Sequence, residues 1–141
     1  STLFPYTPLF RSASIIKRNG LKIGVFAVCP KMRGLVSDKL CKGVKYLDPA
    51  QVALETATML KEKKRCDMVI CISHLGWNSN RGEDDQYMIH GSRNIDLVLG
   101  GHTHTYMTEL QYEPNLDGKP VPVDQNGKSG IFVGKIVVDF K

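Results

Sequence analysis

An α/β fold, with parallel strands joined by a crossover helix and then a set of antiparallel strands, is the architecture this sequence leads one to expect. Two continuous apolar runs, MVICIS (Met68 to Ser73) and IDLVLGG (Ile95 to Gly101), have the length and composition of strands buried on both faces. Ahead of the first lies a segment of helical periodicity, as a parallel connection requires. After His104 the chain changes to short β-prone stretches separated by turn signals.

Taken in order, Ala13 to Lys17 and Leu21 to Cys29 flank Arg18-Asn19-Gly20. Asn-Gly between apolar runs is a strong hairpin signal, so an antiparallel pair opens the pattern. Pro30 ends the second strand because it has no N–H for a ladder. Lys31 to Lys45 reads as a long connection containing a short helix near Ser37 to Cys41. Asp48-Pro49 starts a helix, with Asp as N-cap and Pro at the first helical position. Val52, Ala53, Thr56, Ala57 and Leu60 give it one apolar face, and Lys61, Lys63, Lys64 and Arg65 fall in its last turn, where positive charge complements the helix dipole. Asp84 and Asp85 can cap a second helix reaching about Gly91 or Ser92. Thr108 to Tyr112, Val121 to Gln125 and Ile131 to Phe140 read as antiparallel strands, separated by turns at Pro114 to Gly118 and Asn126 to Lys128.

Composition narrows the function classes. The 141 residues suit one domain, and 42% hydrophobic content is enough for a core. The formal charge is +5, but the basic residues are scattered, with one cluster at Lys61 to Arg65 and no interleaved aromatics. That pattern is a solvated surface rather than a nucleic-acid site. No run of 18 apolar residues is present to span a membrane. Cys29, Cys41, Cys66 and Cys71 form neither a CxxC pair nor a disulfide framework.

Chemistry concentrates at the ends of the two apolar runs. His74 follows the first, and His102 and His104 follow the second within Gly-Gly-His-Thr-His. Ligands collect beyond the carboxyl ends of strands in open α/β sheets, and neutral imidazole is the commonest protein metal ligand. Residues i and i+2 of an extended segment point to one side. His74, His102 and His104 are therefore candidate metal ligands, facing one ion or two adjacent ones. His90 lies in a helical segment and reads as a surface or satisfied core residue. Trp77, beside His74, either stacks on a ligand or covers the core edge, the use that more often consumes a Trp's area. Asp84 and Asp85 can also bind metal, although capping is the commoner use.

Ser73-His74-Leu75-Gly76 followed by Gly100-Gly101-His102-Thr103-His104-Thr105 resembles the last two metal-binding motifs of the calcineurin-like metallophosphoesterases, and most closely their 5'-nucleotidase branch. LKIGVFAV (Leu21 to Val28), Asp48-Pro49, Ile95 to Gly101 and the closing Val123 to Phe140, with Gln125, Gly130 and Gly134, extend the resemblance over Ser14 to Lys141. It implies the C-terminal half of a four-layer α/β/β/α metallophosphoesterase domain. It also implies an enzyme that hydrolyses nucleotide phosphate esters with two divalent metal ions (Zn, Mn, Mg or Ca), His74 and His102 binding one and His104 the other. An exported, periplasmic or cell-surface location follows from the resemblance alone.

The family's Asp-x-His, Gly-Asp-x-x-Asp and Gly-Asn-His-Glu motifs do not occur here. Without their bridging carboxylate, two cations lack compensating charge, so no complete catalytic set is expected in this chain, which should be inactive without the missing N-terminal half of the domain. Residues identifying the substrate are unknown. The alternatives are a non-catalytic or mononuclear trihistidine zinc module, and a same-fold hydrolase of UDP-sugars, cyclic nucleotides or sulfur esters. Residues 1–12, STLFPYTPLFRS, have no counterpart in the family pattern and, apart from Pro8, resemble the translation of a widely used sequencing adapter. The expected division is therefore a non-native lead-in at 1–12, with no packed regular structure before Ser14, and a partial metallophosphoesterase catalytic domain at 13–141.

Overall fold

The structure is a computed structural model that describes residues 13–32, 34–79 and 82–140. Its first feature follows directly from the Asn-Gly signal. Asn19 and Gly20 take φ values of 49° and 80°, the left-handed pair whose twist matches the flanking strands of a tight hairpin. They join β1 (Ala13–Arg18) to β2 (Leu21–Val28) in an antiparallel register that pairs Arg18 with Leu21 and Ala13 with Phe26. The expectation for residues 1–12 lies outside the described residues.

From β2 the chain crosses to β3 (Met68–Ser73) through α1 (Pro49–Thr58) and a π-helical turn over Met59–Lys63. The Asp48 carboxylate accepts the Gln51 N–H at 2.8 Å, satisfying one of the donors left open at a helix start. Ala50, Ala53, Ala57 and Leu60 are buried. The small alanines let the helix lie close to the sheet, where a methyl group built on Gly24 would touch Leu60 and Cys66 at 3.1–3.2 Å. The basic end of this helix makes specific contacts instead of only complementing the dipole: Lys61 pairs with Asp96 at 2.8 Å and donates to Asp67 O.

Strands β3 and β4 (Leu97–Leu99) run parallel, and β4 pairs in parallel with β6 (Pro120–Asp124), which pairs antiparallel with β5 (Gln111–Pro114). The six-stranded sheet has the order β1-β2-β3-β4-β6-β5. Helix α2 (Asp85–His90) packs beside α1, and the Tyr87 hydroxyl donates to Asp48 at 2.8 Å. The core lies between this helical layer and one sheet face, with Phe26, Val69, Cys71, Met88, Ile89, Val98 and Val123 at its centre. One helical layer and one mixed sheet are the two layers that half of an α/β/β/α domain supplies. On the opposite sheet face, Ala27 and Ile72 are exposed. No helix among the described residues is long and apolar enough to cross a membrane.

Four expectations need correction. Ile131 to Phe140 forms no strand. Strand β6 already has β4 on one side and β5 on the other, so this segment has no open edge beside its own turn. It lies across the sheet instead, bounding a cavity of about 340 Å³ with Met68, Leu97 and Pro122. Ser37 to Cys41 is not helical, because its bonds, Leu40 N–H to Ser37 O and Cys41 N–H to Asp38 O, each span three residues and make successive turns. The predicted Thr108 to Tyr112 strand is displaced to Gln111–Pro114, and the strand within Ile95 to Gly101 shrinks to Leu97–Leu99.

Leu60 is 1% exposed and fills the space above Gly24. Leu60→Ala is expected to lower unfolding free energy by about 2–5 kcal/mol in urea titrations, whereas Leu40→Ala, at an exposed position, should change it by no more than about 0.5 kcal/mol.

Candidate metal centre

Parallel pairing brings the histidines to one edge. The register sets Ile70 opposite Leu97 and Ile72 opposite Leu99, so β3 and β4 end side by side. His74 continues the ladder by donating its N–H to Val28 O at 3.0 Å, which fixes its backbone to β2. Leu75, 1% exposed, then anchors the loop in the core. The ring centroids of His74 and His102 lie 5.0 Å apart with planes at 63°. His74 and His104 are exposed and His102 is half-buried.

Two glycines make that approach sterically available. A methyl group on Gly101 would stand 3.2 Å from His74 Nδ1, and one on Gly76, whose φ is +99°, would meet Thr103 Cγ2 at 2.7 Å. The expected extended geometry of Gly-Gly-His-Thr-His is corrected by the structure. His102 and His104 both have positive φ, 76° and 56°, so the alternation of an extended strand does not place their side chains. Left-handed backbone at a residue with a Cβ costs on the order of 1 kcal/mol or more, and a hydrogen-bond network holds the loop there.

That network centres on Gln125. Its Oε1 accepts the Thr105 N–H at 2.6 Å and the Thr103 hydroxyl at 3.1 Å. Since the Thr103 proton is committed to Gln125, the Thr105 hydroxyl donates to Thr103 across 3.0 Å. Thr103 Oγ1 also accepts the Trp77 N–H at 3.0 Å, so one hydroxyl joins the loop after His74 to the loop that carries His102 and His104. Gly100 N–H and Met107 N–H donate to the carbonyls of Asp124 and Gln125, closing the loop onto β6.

Ser73 and Asp85 anchor the other side. The Ser73 hydroxyl donates to Asp85 Oδ1 and accepts the Leu75 N–H, while Asp85 N–H donates to Gly76 O at 2.8 Å. Capping falls to Asp84, whose Oδ1 accepts the Tyr87 N–H. Asp85 is fully buried. Burial pushes its carboxyl up to about 7; the Ser73 hydrogen bond opposes this and the nearby Asp84 charge adds to it.

Of the sequence candidates, the structure brings His74 and His102 together. His104 leaves the same loop on a left-handed residue, and among the described residues no three His, Cys, Asp or Glu side chains gather as a metal-binding cluster. Imidazole nitrogens are ligands that suit a divalent transition metal. His90 pairs with Glu113 at 2.8 Å. Trp77 packs against the core, the covering use of its ring. Ser73 and Thr103 stand within the two motifs with no ligand role, and Gln125 has only its family-like place. The signals were present: Ser73 is the one polar residue of MVICIS, and Gln125 closes a strand of otherwise buried character.

No protein-family model matches the chain. It is similar to the trifunctional nucleotide phosphoesterase protein YfkN of Bacillus subtilis, 27% identical over 122 residues covering 86% of this chain and 8% of that protein. It is also similar to an apyrase of Tabanus yao, 26% identical over 129 residues covering 88% of this chain and 22% of that one. Among solved structures, a 5'-nucleotidase precursor of Thermus thermophilus superposes with a TM-score of 0.69 at 23% identity over 84% of this chain and 24% of its own, which establishes the fold. This chain thus spans less than a quarter of each of these proteins.

Raised by burial, the Asp85 carboxyl favours its protonated form in the folded state. Its contribution to stability is complete below the unfolded value near 3.8 and is lost as pH rises through about 7. Urea midpoints should therefore fall between those two pH values, and Asp85→Asn should remove that component of the slope; an unchanged slope would count against a buried, protonated Asp85.

Proposed function

We propose that this chain, similar in sequence to a nucleotide phosphoesterase and an apyrase and in fold to a 5'-nucleotidase precursor, contributes His74, His102 and His104 to the two-metal centre of a phosphoesterase acting on nucleotide phosphate esters. The observation that carries the reading is the 5.0 Å approach of the His74 and His102 rings at the carboxyl ends of adjacent parallel strands. In this reading His74 and His102 hold one divalent cation through neutral ring nitrogens, and His104, displaced from the pair by its own backbone, serves the second.

Divalent metals in such sites polarise a phosphoryl oxygen and lower the pKa of water toward neutrality. What this chain's residues contribute is orientation. The Gln125 amide and the Thr103 hydroxyl hold the two histidine loops in register. Compensating negative charge comes, in the proposal, from polypeptide carrying the Asp-x-His, Gly-Asp-x-x-Asp and Gly-Asn-His-Glu motifs. The exposed face bearing Ala27 and Ile72 offers the ground on which a second sheet would pack. A self-contained trihistidine zinc site would need His104 beside His74 and His102, and it is told apart from the two-metal arrangement by the activity test below. Nucleotide substrates are proposed because a nucleotide phosphoesterase and a 5'-nucleotidase precursor are named for them. Export is proposed on resemblance alone.

The test is hydrolysis of a nucleoside monophosphate with added manganese or zinc. A protein joining these residues to the carboxylate-bearing motifs should turn over substrate, and His102→Ala should reduce its rate by at least about a hundredfold, in line with loss of metal-held charge stabilisation. This chain alone should show none of that activity. Full activity in the chain alone would overturn the proposal.

A further inference from the structure

Two buried polar atoms have no hydrogen-bond partner among the described residues: Asp85 Oδ2 and Gln125 Nε2. Both face the same side of Gly100, where a methyl group would lie 2.8 Å from the carboxylate oxygen and 3.3 Å from the amide nitrogen. Their orientations are forced. The Thr105 N–H can be satisfied only by the carbonyl end of the Gln125 side chain, so the NH2 end must turn toward Gly100. The Ser73 hydroxyl engages Asp85 Oδ1, so Oδ2 turns the same way. One atom accepts and the other donates, and leaving both unmade would cost about 1–3 kcal/mol each.

We infer that Asp85 and Gln125 form a buried hydrogen-bonded link beneath Gly100 through one ordered water, and that this link makes them positioning residues that couple the His74 loop to the His102–His104 loop. Asp85 holds the first loop through Ser73 and through its own N–H to Gly76 O. Gln125 holds the second through Thr103 and Thr105. Gly100 lies between them because any side chain would enter the link. As a device for positioning ligands, the inference rests on the histidine reading above; the link itself does not.

The experiment uses the 15N-labelled 141-residue chain without metal, at a pH above the Asp85 value of about 7 so that its carboxylate accepts, and reads amide exchange at Leu75 and Thr105 together with the imidazole resonances of His74 and His102. Asp85→Asn turns the acceptor into a donor, and Gln125→Glu turns the donor into an acceptor while keeping an oxygen for the Thr105 N–H. Each single variant should speed exchange on the far loop, Thr105 for Asp85→Asn and Leu75 for Gln125→Glu, by about tenfold or more. It should also shift the far imidazole. The double variant restores a reversed donor–acceptor pair and should bring both amides back to within about threefold of the starting rate.

Effects confined to each variant's own loop, or a double variant that merely adds the two losses, would overturn the link. Should a single variant unfold, rescue is read by circular dichroism of the double variant, and failure to refold counts against the proposal. Neither readout involves metal, so failure here leaves the metal reading standing, and failure of the metal reading leaves these exchange rates as stated.

Discussion

Parallel pairing of Met68–Ser73 with Leu97–Leu99 is the constraint on which the candidate centre depends. Parallel strands deliver their carboxyl ends to the same edge, and the register here leaves only Ser73 and Gly100-Gly101 between the last paired residues and the two imidazoles. The connection through α2 makes that pairing possible, since a parallel neighbour cannot be reached by a tight turn, and α1 does the same between β2 and β3. Its alanine-lined face lets the helix cover the sheet closely, and its far end is tied to Asp96, just ahead of β4, through Lys61. Core packing and site geometry are thus two consequences of one topology.

What the topology leaves undone, polar side chains complete. His102 and His104 stand on left-handed backbone, a conformation that persists only where surrounding bonds over-determine it. Gln125 and the Thr103 and Thr105 hydroxyls provide those bonds, while Ser73 and Asp85 fix the neighbouring loop. The imidazoles are held less by burial than by a polar scaffold beneath them. Such support is what metal sites generally need, because ligand orientation is set by the groups behind the ligands.

Much of this was legible in the amino-acid sequence, and the reason differs from element to element. The hairpin at Asn19-Gly20, the start of α1 at Asp48-Pro49 and strand β3 were readable because each rests on a local rule: left-handed turn residues, a cap with its proline, an unbroken apolar run. His74 and His102 were readable as partners because both follow such runs. The fate of Ile131 to Phe140 was not, since its alternation suits a strand and only the sheet order shows that β6, the strand just before it, already has a neighbour on each side. Nor was the backbone at His102 and His104, where tertiary hydrogen bonds override the extended preference expected of the motif. Asp85 looked like a second cap; its burial under Ser73 depends on how α2 packs, which no local pattern encodes.

The central claim is that His74 and His102 present one divalent-metal position while His90 does not. It is tested most directly by following the four imidazoles in a 15N-histidine-labelled chain as Mn2+ is added. Paramagnetic broadening of His74 and His102 together, ahead of His104 and with His90 kept sharp by its pairing with Glu113, is the expected result. Broadening of His90 before the pair, or of His74 and His102 at clearly separate metal concentrations, would contradict it.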